Sequence, residues 1–152
     1  MSQFFIDGYN VIRSTDAMAA GSLQAQRERL LRFIEERKPC GRNQVTVVFD
    51  GKPGRDWAGW RGPTAVVFSE DRDADTEIKE RVDLMRTPAD AVVVTNDRAI
   101  QKWVRGAGAR VMGCEEFLRA GRSSAPGGKG ARIDPDEAKR INEDLKRIWK
   151  ID

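Results

Sequence analysis

Histidine is absent from this 152-residue chain. Without imidazole there is no Ser-His-Asp or Cys-His machinery and no His-ligated zinc. Cysteine is nearly absent too: Cys40 and Cys114 lie far apart and in unlike contexts. Two thiols make no zinc site alone, and a reducing compartment disfavours a disulfide, so both read as buried structural residues. No apolar run approaches the roughly 18 residues of a membrane span; the longest are VTVVF and AVVV. The segment MSQFFIDGYN carries neither a basic n-region nor an h-region. We therefore expect a cytoplasmic protein with no membrane partner. Its chemistry must rest on carboxylates, hydroxyls, Lys, Arg or a bound ion.

Apolar residues make up 39% of the chain and charged residues 34%, which suits a folded domain with a densely charged surface. Lys and Arg number 27 against 24 Asp and Glu, a net charge of +3. So small an excess favours a polyanionic partner only if the two signs are segregated in space.

Short β-branched runs alternate with helical stretches. Strands are expected at Gln3–Ile6, Val45–Phe49, Ala65–Phe68, Ala91–Val94 and Arg110–Met112. Helices are expected from about Ser22 to Lys38, where Pro39 to Gly41 stop the pattern, and over Asp73–Met85, Asp97 to about Arg105, and Cys114–Leu118. This alternation predicts an α/β fold with a parallel sheet covered by helices on both faces. Residues 1–120 read as one domain. Residues 121–133 read as a Gly/Ser/Pro-rich linker, and 134–152 as a C-terminal amphipathic helix opened by Asp134-Pro135-Asp136-Glu137.

In parallel α/β sheets, ligands bind beyond the carboxyl ends of the strands. Three expected strands lead into aspartates there: Asp7 in FFID, Asp50 in VVFD and Asp97 in VVVTND. A further cluster, Asp71, Asp73 and Asp75, follows the third strand and opens a helix. One such aspartate is an ordinary turn or N-cap residue. Several on one sheet edge repel one another and call for a compensating cation. Hard oxygen donors without His or Cys select Mg²⁺ or Mn²⁺. The DxDxD run is no EF-hand, because Thr76 and Val82 stand where glycine and a bidentate acid are needed. Gly127-Gly128-Lys129-Gly130 lacks the spacing and the hydroxyl of a phosphate loop.

Asp7-Gly8-Tyr9-Asn10 after the first strand, Phe49-Asp50, Ala74-Asp75 followed by Ile78, and Thr95-Asn96-Asp97 together resemble the NYN branch of the PIN-like nucleases. The likeness is to its bacterial YacP-type group and covers about residues 3–118. It implies a three-layer α/β/α fold and metal-dependent endoribonuclease activity, in some members on mRNA at the ribosome. By position, Asp7, Asp75 and Asp97 match the family's metal-site carboxylates, Asn10 the polar residue orienting the first, and Asp50 an acid of the YacP-type group. Two departures stand out. Lys79 occupies a position where glutamate is usual, and Gly51-Lys52 replaces a small–histidine pair.

Independently of the family, an ion held by Asp7, Asp75 and Asp97 suits in-line attack of water on a phosphodiester, leaving 5′-phosphate and 3′-hydroxyl ends. A second ion would draw on Asp50 or Asp73. For substrate, the Gly51–Thr64 loop combines Lys52, Arg55 and Arg61 with Trp57 and Trp60. Basic side chains beside exposed aromatics suit single-stranded RNA. The alternative is that both indoles fold back as a cover on the sheet. Arg13, Arg98 and Lys102 are further candidates for phosphate contact. Two other functions stay open: a non-catalytic RNA- or ribosome-binding module, and a metal-dependent phosphatase of small esters.

Overall fold

Phe4, Phe5 and Ile6 are all buried, although consecutive strand residues point to opposite faces. A segment apolar on both sides belongs in the middle of a layered structure. The computed structural model describes residues 2–123 and places it there. The elements are β1 (Gln3–Asp7), α1 (Gly8–Arg13), α2 (Leu23–Arg37), β2 (Gln44–Phe49), β3 (Ala65–Phe68), α3 (Ala74–Asp83), a 3₁₀ turn (Pro88–Asp90), β4 (Ala91–Val94), α4 (Arg98–Gly106), β5 (Arg110–Met112) and α5 (Cys114–Ser123). The strands form one parallel sheet in the order β3-β2-β1-β4-β5.

Alternation along the strands divides the interior into two cores. Phe4, Ile6, Val47, Phe49, Val92 and Val94 pack with Val11, Leu30, Leu31, Ile34, Phe117 and Leu118 from α1, α2 and α5. Phe5, Val48 and Val93 face the other way, onto Ile78 and Val82 of α3 and Ile100 and Val104 of α4. This is the expected three-layer arrangement. β1 lies centrally with β2 on one side and β4 on the other, so the strand order reverses around its carboxyl end. That is the place where parallel sheets open a ligand crevice.

Two elements depart from the sequence reading. α1 was not expected, because six residues opened by a glycine are too short to show helical periodicity. α5 runs to Ser123 rather than stopping at Leu118. Gly121, read as linker, lies within it, and a Cβ there would fall within the Phe33 ring of α2, so glycine gives the two helices their close approach. The rest of the linker and the helix read over 134–152 lie outside the described residues. No described helix is long and apolar enough to cross a membrane. Cys40 and Cys114 are buried and unpaired, as expected.

Gly8 gives a test of this packing. Alanine in a helix normally stabilises by up to about 1 kcal/mol, but a Cβ here would sit 2.5 Å from two Phe49 ring carbons. Overpacking should win, so Gly8→Ala is expected to lower stability by about 1–3 kcal/mol in urea denaturation. An unchanged or raised midpoint would show that the Phe49 ring has room to move.

Candidate active site

Asp7 is the last residue of β1, and β4 pairs with β1 so that Ile6 lies opposite Val94. The connection after β4 therefore lies beside Asp7. Thr95, completely buried, donates its hydroxyl proton to Asp7 Oδ2 at 3.1 Å and accepts the Asp97 N–H at 3.1 Å. A hydroxyl has one proton, and the charged acceptor at shorter range takes it in preference to Asn10 Oδ1 at 3.4 Å. Asn10 does not bond Asp7. Its Oδ1 instead accepts the Asn96 N–H at 2.7 Å and the Cys114 thiol at 3.2 Å, while Asn96 Oδ1 accepts the Cys114 N–H at 2.8 Å. Thr95 thus holds Asp7, and Asn10 holds the 95–96 segment that carries Thr95. The expected role of Asn10 is displaced by one step.

Asp97 is the N-cap of α4, its Oδ1 accepting from Ala99 N at 2.9 Å and Ile100 N at 3.2 Å. Both bonds use one oxygen, which leaves Oδ2 for the site. Asp75 lies in the first turn of α3. Its Oδ1 accepts from Thr76 N at 2.9 Å, and its Oδ2 is 3.8 Å from Lys79 Nζ.

Asp7 registers this convergence. Its pKa is raised to about 6, first by burial, with the negative charges of Asp97 and Asp75 adding to the rise. The Thr95 hydrogen bond and the positive charge of Arg13 oppose it without prevailing. Burial and the charge on Asp7 also push the Cys114 thiol up to about 12, so it stays protonated and can donate to Asn10.

Asp50 stands apart from this trio. It is exposed, is not among the charges acting on Asp7, and uses Oδ1 to accept the Ala74 N–H at 3.1 Å, capping the start of α3. Asp73 is exposed at the N-cap of α3 without a side-chain bond, and Asp71 pairs loosely with Lys52 at 3.7 Å. All the groups of the trio are oxygen donors, which suits a hard divalent cation. Among the described residues no three acidic side chains stand at coordinating separation. The trio is therefore recognised through its mutual repulsion.

The tryptophan loop takes the cover arrangement. Trp57 packs edge-on against Phe68 with ring centroids 5.3 Å apart, and Trp60 Nε1 donates to Glu35 Oε2 at 2.7 Å. Both indoles are half-buried against the core, so base stacking on them is not the arrangement seen. Lys52, Arg55 and Arg61 of the loop are exposed, as are Arg13, Arg98 and Lys102. The sequence reading missed Arg27. It is 3% exposed, yet bonds no carboxylate among the described residues. Its Nε donates to Tyr9 Oη at 2.9 Å and its Nη1 to the Pro53 carbonyl at 2.8 Å, while the guanidinium lies 5.0 Å from the Phe68 centroid and within 6 Å of Tyr9, Phe49 and Trp57. Aromatic faces and two oxygens stand in for a counter-ion. A surface groove of about 660 Å³ lies at the opposite end of the sheet, by Ile34, Asn43 and Thr64, away from these carboxylates.

Residues 4–147 match the YacP-like NYN domain. The chain belongs to that family. Two crystal structures of Rae1 (YacP) from Bacillus subtilis share its fold. One, a tryptophan-to-leucine variant, is 25% identical with a TM-score of 0.64, covering 97% of this chain and 80% of that one. The other is 24% identical with a TM-score of 0.66, covering 97% and 79%. No curated protein matches. NYN domains are nuclease-like, and membership supports a nuclease-type, RNA-related function for this YacP-like domain.

The raised Asp7 pKa makes stability depend on pH. Between about 4 and 6 the folded chain holds a proton that the unfolded chain has lost, so stability falls as pH rises through that window. Asp7→Asn removes the penalty. Its stability gain over the parent should be near zero below pH 4 and reach about 2–3 kcal/mol above pH 7. A difference flat across this range, followed by thermal or urea unfolding, would show that Asp7 titrates as an ordinary carboxylate.

Proposed function

We propose that this YacP-like domain is a divalent-metal-dependent endoribonuclease that cuts RNA to 5′-phosphate and 3′-hydroxyl ends in the cytoplasm. The observation that carries the proposal is Asp7: a half-buried carboxylate at the carboxyl end of the central strand, its pKa raised by burial and by two neighbouring acids. Such a group is costly without a cation and useful with one. Asp7, Asp75 and Asp97 would hold Mg²⁺ or Mn²⁺. When bound, the ion supplies positive charge for the phosphoryl oxygens and lowers the pKa of a water.

The remaining work belongs to the chain itself. The Thr95 hydroxyl keeps Asp7 Oδ2 directed, so the carboxylate need not reorganise when charge builds on the phosphorus. Capping bonds hold Asp97 at the head of α4. Exposed Arg13, Arg98 and Lys102 supply positive charge for the RNA backbone, and Lys52, Arg55 and Arg61 extend it along the loop over β3. With both indoles committed to packing, this surface favours phosphate contact over base stacking, hence weak sequence preference. The family likeness extends the proposal to mRNA on the ribosome.

The test is cleavage of a mixed single-stranded RNA with Mg²⁺ or Mn²⁺, with EDTA, and with Asp97→Asn. Asparagine caps helices about as well as aspartate, so this variant removes charge and keeps α4. Internal cuts bearing 5′-phosphates are expected, abolished by EDTA and slowed at least about 10²-fold by Asp97→Asn, the scale on which one transition-state electrostatic group acts. RNA binding that survives EDTA with no cutting would contradict the proposal and favour a binding module.

A further inference from the structure

The acidic edge already contains a cation. Lys79 stands one turn after Asp75 on α3, and its Nζ lies 3.8 Å from Asp75 Oδ2. Across the gap to α4 the same ammonium lies 5.8 Å from the centroid of Trp103, a half-buried ring packed against the second core. An ordinary surface lysine samples many rotamers, and its ion pair is worth little. Here an aromatic face supported by the core and a carboxylate of the proper i,i+4 orientation restrict the same side chain. Among the described residues this is the one ion pair to a carboxylate of the trio Asp7, Asp75 and Asp97.

We infer that Lys79 is the resident counter-ion of the acidic edge, competing with a divalent cation for Asp75 and so weakening the site's affinity for metal. The inference rests on the metal reading proposed above. Lys79 is a positioning residue: it sets how readily Asp75 is released to an ion, and α3 and α4 hold it in place to do so. A fixed positive charge this close also repels a divalent ion directly, and that repulsion is screened by salt.

The experiment is Mn²⁺ binding to the full chain without RNA, read by electron paramagnetic resonance of free Mn²⁺ and by titration calorimetry. It compares the parent, Lys79→Gln, Lys79→Arg and Asp75→Asn. Loss of one charge at this range should tighten Mn²⁺ on the order of three- to tenfold in Lys79→Gln at low ionic strength. The gain should shrink in high salt, Lys79→Arg should stay near the parent, and Asp75→Asn should bind more weakly than all three. If the parent binds Mn²⁺ and Lys79→Gln binds it equally or less well, the counter-ion role is wrong while the metal reading stands. If neither binds Mn²⁺ at millimolar concentration, both fall together.

Discussion

The hydroxyl of Thr95 joins the parts of the site that lie furthest apart in sequence. It donates to Asp7 at the end of β1 and accepts from Asp97 at the head of α4. Parallel pairing of β1 with β4 makes this possible, because the register that sets Ile6 beside Val94 brings the next residue of each strand together. The bond is not strong enough to keep Asp7 an ordinary acid. Burial raises its pKa by more than Thr95 and Arg13 lower it, and Asp97 and Asp75 push the same way. The fold therefore keeps a carboxylate that is held in place and under-neutralised. Among the described residues, Arg13 bears on Asp7 and Lys79 on Asp75.

Around that point the structure sets acidic and basic residues in different places. The acids sit at the carboxyl ends of β1 and β4 and the start of α3, while exposed Arg98, Lys102 and Arg105 lie on α4 and exposed Lys52, Arg55 and Arg61 on the loop between β2 and β3. Arg27 links the two regions. One of its nitrogens bonds Tyr9, two residues after Asp7, and another bonds the Pro53 carbonyl in the loop. A buried guanidinium in an aromatic cage is a stiff connector, since losing either oxygen would leave a charged donor desolvated.

Much of this was legible in the sequence. Three strands, Ala65–Phe68, Ala91–Val94 and Arg110–Met112, lie where β-branched runs placed them, and Asp7 at the end of β1, Asp50 after β2 and Asp97 after β4 mark the carboxyl edge. What escaped depends on tertiary context. Arg27 sits in a helix rich in Gln, Arg and Glu, where arginine reads as solvated, and only the rings from α1, β2, β3 and the loop reveal its burial. Thr95 was visible as part of a motif, but its position between two acids follows from strand pairing alone. Asp50 shares the strand-end signature of Asp7 yet serves as a cap, because the start of α3 lies within reach of its side chain. The tryptophans read equally well as stacking platforms or as a cover, and Glu35 and Phe68 decide for the cover.

In the function proposed above, Asp7 is an under-neutralised acid which a divalent cation relieves. The most direct measurement is a carbon-detected NMR titration of the Asp7 carboxyl, without divalent ions and with Mg²⁺. A midpoint near 6 is expected without the ion, with a marked fall when Mg²⁺ is added. A midpoint near 4, the value of an exposed aspartate, and indifferent to Mg²⁺ would contradict it.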